Sequence, residues 1–338
     1  MLRRLSEAMG VSGSEKEIRR ILRELAAPYG ETWTDAMGNL YVHKAGAGKK
    51  VMVCAHMDEV GMLVKGILDD GLLAYTSAGI DSRVCVSKRV VVGAGKIPGV
   101  IGAKAIHLQK REDLQKAIPH DELFVDIGAE SREDAMKYVK VGDPICFDTQ
   151  FSYFGDSMMK GKALDDRLGC AVVLELLKRD YDCDFYAVFT VQEEVGARGA
   201  AAAAYRVQPD LALILEGTTA NDMPEAESHQ QVTEVGKGPA ISMMDSGTIV
   251  NPQLFRAMKQ TAEQQNIPHQ VRRGTNGGTD AGVIHKACAG ALAIGLSVPC
   301  RYIHGPASVA SVADFENTVK LADAFLKARK YEEVKRNV

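Results

Sequence analysis

The feature that most restricts the fold is an interruption. "VMVCA", residues 51–55, has the unbroken apolar character of a strand buried on both faces of a parallel sheet. The strong helical pattern "DDRLGCAVVLELLKR" begins only at Asp165. From about residue 62 to 160 the texture is different. Short β-like runs ("RVVVGA", "IPGVIGAKAIHL", "ELFVDIGA", "DPICFDT") alternate with glycine turns, and one helix signal, "SREDAMKYV", stands among them. The α/β rhythm then returns with strand "FYAVFTV", an Ala-rich helix after Ala197 and strand "LALIL". Helix "NPQLFRAMKQTAEQQ", strand "AGALAIGL" and a final helix from about Asp314 complete it. The pattern predicts an α/β domain with a mixed sheet and helices on both faces, split by a β-rich insertion. The boundaries fall at 1–62 and 161–338 for the host and 63–160 for the insertion.

Residues 2–27 carry an apolar helical repeat broken by "GVSGSEKE". There Ser12 and Ser14 each precede a glutamate by three residues and are placed to cap a following helix. With 338 residues, 46% of them apolar, the chain can bury a large core and divide into two domains. Its net charge of −3 offers no basic surface for nucleic acid. No apolar run reaches the length of a membrane span, and "MLRRLSEAMG" lacks the apolar core of a signal peptide. The seven cysteines have no CxxC spacing and read as reduced packing residues. The expectation is a cytoplasmic protein without nucleic-acid or membrane partners.

In open α/β sheets ligands gather at the carboxyl ends of the strands. "VMVCA" runs into His56, Asp58 and Glu59, "FYAVFTV" into Glu193 and Glu194, and "LALIL" into Glu216. The strand from "AGALAIGL" leads to His304, and Asp165 and Asp166 open the helix that follows the insertion. Taken singly these are solvated loop residues or caps, and Asp165 reads simply as a helix cap. Brought together, their carboxylates repel unless cations neutralise them. Imidazoles among carboxylates suit zinc, cobalt or manganese. Two divalent ions bring four positive charges, which Asp165, Glu194, Glu216 and one hydroxide balance, so the arithmetic favours two metals. Glu194 is then a ligand and Glu193 the free general base. Adjacent strand residues point to opposite sides, so a local bend is required, and Gly196 is available for it.

"AHMDEVG", "ALDDRLGC", "QEEVGARGA", "GGTDA" and "RYIH", in this order, resemble the tetrahedral (TET) aminopeptidase family. Its members are glutamyl, leucyl and deblocking aminopeptidases, some of them named cellulase M or endoglucanase. The resemblance covers nearly the whole chain and implies a zinc-peptidase type of α/β fold. It also implies that the insertion is a dimerisation domain and that dimers build a tetrahedral dodecamer. Carried over by position, His56, Asp165 and Glu216 resemble the ligands of one metal, with Asp165 bridging to a second completed by Glu194 and His304. Glu193 matches the general base, Asp58 the carboxylate that orients the histidine, and Asp166 a structural partner. Two positions depart from the family pattern. Glu216 stands where many relatives have aspartate, and "GPAS" (Gly305 to Ser308) replaces Ser-Pro-x-Glu, removing a glutamate at Ser308.

The reaction this implies is removal of N-terminal residues from short peptides by a water activated between two metals, zinc or cobalt foremost and manganese as a third choice. Glu193 passes the proton from that water to the leaving amine. Backbone amides of "RGTNGGTDAG", at Gly277, Gly278, Thr279 and Asp280, line the substrate pocket, although a plain turn before a helix is an equally simple reading of that loop. A glycoside hydrolase using Glu193 with Glu216 is the alternative, but it leaves the histidines unused and finds one tryptophan, Trp33, for stacking sugars. A shell protein without activity is the third reading, against which the retained ligand types stand.

Overall fold

A computed structural model describes residues 1–335 except 110, 112–114, 225 and 228. Among these residues an eleven-stranded mixed sheet forms the main body. Its centre is four strands in the order Asp184–Thr190, Lys50–His56, Leu211–Thr219 and Leu292–Arg301, all parallel. Antiparallel strands extend it on both sides.

The apolar run read as a strand buried on both faces is one. Val51, Val53 and Ala55 pack with the helix Leu164–Leu177, through Cys170, Val173 and Leu174. The alternate residues Met52 and Cys54 point the other way, toward Ala200, Ala203 and Ala204 of the helix Arg198–Val207. The two-residue side-chain period of a strand therefore serves two separate helical layers, and Val51 to Ala55 are all fully buried.

The insertion folds into a closed six-stranded barrel. Its strands run from Gly61–Ile67 to Pro144–Phe147, around a core that includes Val64, Tyr75, Val90, Val92, Ile101, Val125 and Ile145. Closure removes the sheet edges that an open module would expose. The strands Ser152–Phe154 and Met158–Gly161, inside the stretch 63–160, pair with the large sheet and not with the barrel. Outside the barrel core, Val100, Ile106, Leu108, Met136, Tyr138 and Val141 are exposed.

Local signals near the N-terminus resolve differently from the capping pattern. The helix starts at Lys16 with no side-chain cap, so neither Ser12 nor Ser14 caps it. The hydroxyl of Ser12 instead donates to the Asp58 carboxylate at 2.7 Å. A buried carboxylate needs hydrogen-bond donors more than an exposed helix end does.

Candidate metal centre and active site

The carboxyl ends of the four parallel strands open into a cavity of about 570 Å³ lined by His56, Asp165, Glu193, Glu194, Glu216 and His304. His56 is the last residue of its strand. Glu216 is not at a strand end: its strand continues to Thr219, because pairing with the neighbouring strand runs on from Glu216↔Ser297 to Thr219↔Cys300. The next residue is Gly217, where a Cβ would stand 3.0 Å from the Cα of Asp165. A side chain there would push Asp165 away from Glu216.

Asp165 lies between the two histidines. Its Oδ1 is 3.3 Å from His56 Nε2 and its Oδ2 3.8 Å from His304 Nε2. Each imidazole has a second carboxylate: Glu216 Oε2 lies 3.5 Å from His56 Nε2, and Glu194 Oε2 lies 3.3 Å from His304 Nε2. The remaining oxygens, Glu216 Oε1 and Glu194 Oε1, are buried without a hydrogen-bond partner. Buried carboxylate oxygens are rarely left so, and divalent cations fit what they lack. Potential ligand atoms of His56, Asp165 and Glu194, and those of His56, Asp166 and Glu216, fall within 4.8 Å of one another. Asp166 is otherwise engaged. Its Oδ1 accepts the Gly169 N–H at 2.8 Å, capping the helix, and its Oδ2 accepts the His56 N–H at 3.2 Å. The cap is thus Asp166, and Asp165 turns into the cavity.

The strand before the glutamate pair ends at Thr190. The bend that turns both glutamates into the cavity comes at Gln192, with φ of 56°, ahead of the pair, while Gly196 (φ 112°) and Ala197 (φ 51°) shape the exit. Asp58 then fixes the result. Its Oδ1 accepts the Glu193 N–H at 2.9 Å and its Oδ2 the Glu194 N–H at 3.2 Å, while His56 Nδ1 lies 3.4 Å from Oδ1.

The electrostatics are those of a crowded carboxylate site. Burial, with Asp280 and Glu194 adding to it and His56 opposing, pushes Glu193 up to about 9. Burial and then Asp165 push Glu194 up to about 8. Glu216 is held well above the carboxylate range by burial and Asp166. Burial disfavours a charged His56, but Asp165, Asp58 and Glu216 outweigh it and hold the imidazolium form well above its usual range. Asp58 is driven up by burial, yet His56, Ser12 and the Glu193 N–H bring it below the ordinary value. Without cations, the cluster therefore retains protons.

Of the glycine-rich loop, Gly277, Gly278 and Thr279 line the cavity, but Asp280 does not. It is fully buried and accepts the Thr190 hydroxyl at 2.5 Å, leaving Oδ1 unpartnered. Ser308, at the position of the missing glutamate, is buried and donates to the Tyr302 carbonyl at 3.3 Å, closing the turn that carries His304. Two charged residues, Lys162 and Arg167, escaped the sequence reading, and both engage Glu59. Lys162 Nζ lies 2.7 Å from both oxygens of Glu59, and Arg167 Nη2 lies 3.3 Å from Oε1. All three are buried, and Lys162 and Arg167 also donate to the Ala8 carbonyl. Their only signal was position, beside "AHMDE" and "ALDDR".

The cavity thus gathers histidine, aspartate and glutamate side chains in groups that could hold metal ions. The chain belongs to the M42 glutamyl aminopeptidase family, whose profile matches residues 38–321. A protein of Acetivibrio thermocellus, provisionally named an aminopeptidase, is 41% identical over 95% of this chain and 96% of its own. The crystal structure of a TET aminopeptidase from the archaeon Thaumarchaeota archaeon SCGC AB-539-E09 superposes with a TM-score of 0.95 at 34% identity, covering 98% of this chain and 97% of that one. The TET1 peptidase of Pyrococcus horikoshii, described as assembling into a tetrahedron or a large octahedral shell, matches with a TM-score of 0.87 at 32% identity, over 96% and 98% of the two chains.

Proposed function

We propose that this aminopeptidase is dinuclear, that it removes N-terminal residues from short peptides, and that Glu193 is its general base. The observation that carries the reading is Asp165, whose two oxygens face two different imidazoles, each with a carboxylate of its own. His56, Asp165 and Glu216 would hold one ion, and Asp165, Glu194 and His304 the other. Zinc or cobalt suits these donors best, with manganese also compatible. When bound, such ions would lower the pKa of a water and polarise the scissile carbonyl. Glu193, which lines the same cavity, takes the proton at its carboxylate and returns it to the leaving amine. Asp58 orients His56 and, through the two backbone N–H groups, holds the base in place. Gly277, Gly278 and Thr279 line the same cavity and would contact the substrate.

We also infer a homo-oligomer built from dimers, with the barrel as the joining surface and a tetrahedral dodecamer as its closed form. The exposed apolar residues of the barrel segment support this, as does assembly of the P. horikoshii relative. Seven free thiols, six of them buried, suit the cytoplasm. No helix among the described residues is long and apolar enough to cross a membrane.

Chelator-sensitive hydrolysis of aminoacyl anilides, measured beside a cellulosic substrate, tests the activity. Metal analysis of two variants tests the roles. Glu193→Gln should abolish turnover and keep both ions, whereas Glu194→Gln should lose metal at one centre. Equal metal loss in both variants would refute the division.

A further inference from the structure

His304 occupies an unusual piece of backbone. It and Tyr302 both have left-handed φ, 59° and 61°, a region that costs a bulky residue energy and persists only where the surroundings enforce it. The imidazole is also the more exposed of the two in the cluster, 41% against 2% for His56. Something outside the cluster must therefore hold the turn.

The turn has three fastenings. The Ser308 hydroxyl donates to the Tyr302 carbonyl, and the Thr149 hydroxyl donates to the Pro306 carbonyl at 2.6 Å. The third is charged. Arg301, the last residue of its strand and three before His304, donates from Nε to Asp222 Oδ1 at 2.8 Å and from Nη2 to Asp222 Oδ2 at 2.6 Å. A two-pronged pair of this kind fixes direction as well as distance. Asp222 is only 12% exposed and is itself anchored, since its Oδ2 accepts the Val235 N–H at 3.1 Å. It lies three residues beyond the strand that carries Glu216. The Ala220 N–H, bonded to the Cys300 carbonyl at 2.8 Å, ties the two strand exits together just below the pair.

The strand that supplies Glu216 to one centre and the turn that supplies His304 to the other are therefore coupled through Asp222 and Arg301. We propose that Asp222 and Arg301 are positioning residues that set His304 against Glu194 and Asp165, and so govern how tightly the outer of the two centres holds its metal. Neither residue touches the cluster. His56, in the inner centre, is held by its own strand and by Asp58, so the effect should fall on the outer centre.

This rests on the two-centre reading above, and the experiment separates the two. Metal content and affinity are measured by elemental analysis and zinc titration of the full-length protein, for wild type, Asp222→Ala, Arg301→Lys, His304→Ala and the double variant Asp222→Ala/His304→Ala. Wild type binding fewer than two ions would overturn the two-centre reading and this inference with it. With two bound, Asp222→Ala should keep one ion at wild-type affinity and weaken the other about 10- to 100-fold, the usual effect of losing a residue that orients a ligand. Arg301→Lys keeps the charge but not the fork, so it should give a smaller loss in the same centre; it also serves if Asp222→Ala fails to fold. In the His304→Ala background Asp222→Ala should remove no further metal. Unchanged affinities at both centres, equal weakening of both, or an additive loss in the double variant would overturn the assignment.

Discussion

The carboxylate of Asp58 receives the backbone N–H of Glu193 at 2.9 Å while its other oxygen takes that of Glu194. One side chain just beyond one strand thus fixes the backbone of two adjacent glutamates that follow another strand, the proposed base and a proposed ligand. Replacing Asp58 by asparagine substitutes an amide N–H for one accepting oxygen. We expect kcat to fall at least 10-fold, since hydrogen bonds to a charged group contribute about 1.5–3 kcal/mol, with a smaller change in KM. Steady-state kinetics on an aminoacyl anilide check this, and a KM effect larger than the kcat effect would argue against it. Ser12→Ala removes only the hydroxyl donor and should show a weaker version of the same effect.

The contact of Lys162 with Glu59 makes a prediction about stability. Lys162→Met would leave Glu59 buried with Arg167 as its remaining charged partner. Removing one member of a buried ion pair costs about 3–5 kcal/mol, and Arg167 should hold the loss to the lower end. Pairing the change with Glu59→Gln, which removes the stranded charge, should recover part of it. Denaturant midpoints of the single and double variants decide the matter.

Metal removal should make stability pH-dependent in a definite sense. In the metal-free protein Glu193 and Glu194 are raised from 4.5 to about 9 and about 8. A carboxyl whose pKa is higher folded than unfolded binds its proton more tightly in the folded state. Its contribution is therefore complete below pH 4.5 and is lost as pH climbs toward 8 and 9. The chelated protein should lose melting temperature from pH 5 to 9, and added zinc should restore more of it at each higher pH, because the cation takes the place of the protons. A chelated protein whose melting temperature is flat or rises over that range would contradict this.

A variant that removes the barrel must spare the strands that follow it. Residues 152–161 pair with the large sheet, so a glycine–serine linker should replace residues 62–147 alone. The product should be soluble and monomeric by sedimentation, and the intact chain should sediment as an oligomer. A linker variant that assembles like the intact protein would show that the barrel does not join the subunits.

What the sequence reveals about the site depends on how locally each role is set. His56, Glu193, Glu194 and His304 stand where apolar strands run out, so periodicity and the rule for strand ends expose them. Glu216 obeys the same chemistry from inside a longer strand, because its neighbour strand keeps pairing past it. Ser12 followed by a glutamate has the form of a helix cap, yet its partner is a carboxylate 46 positions away. Asp280 looked like a loop residue facing substrate, but Thr190, 90 positions distant, holds it in the core. Lys162 and Arg167 are charged and buried through contacts that no local pattern encodes. Short-range rules reach the residues that one element positions, and miss those that two distant segments position together.

The chain enters the barrel just after Glu59 and, once it has left the barrel and added two strands to the large sheet, reaches Lys162, whose side chain grips that of Glu59. The Glu59–Lys162 contact thus forms a closed collar around the segment that holds the barrel. From the side of the catalytic sheet, the seam is already sealed before the barrel is considered. Lineages could therefore reshape the barrel, and with it whatever surface it offers to a partner, while the machinery behind the collar stays as it is.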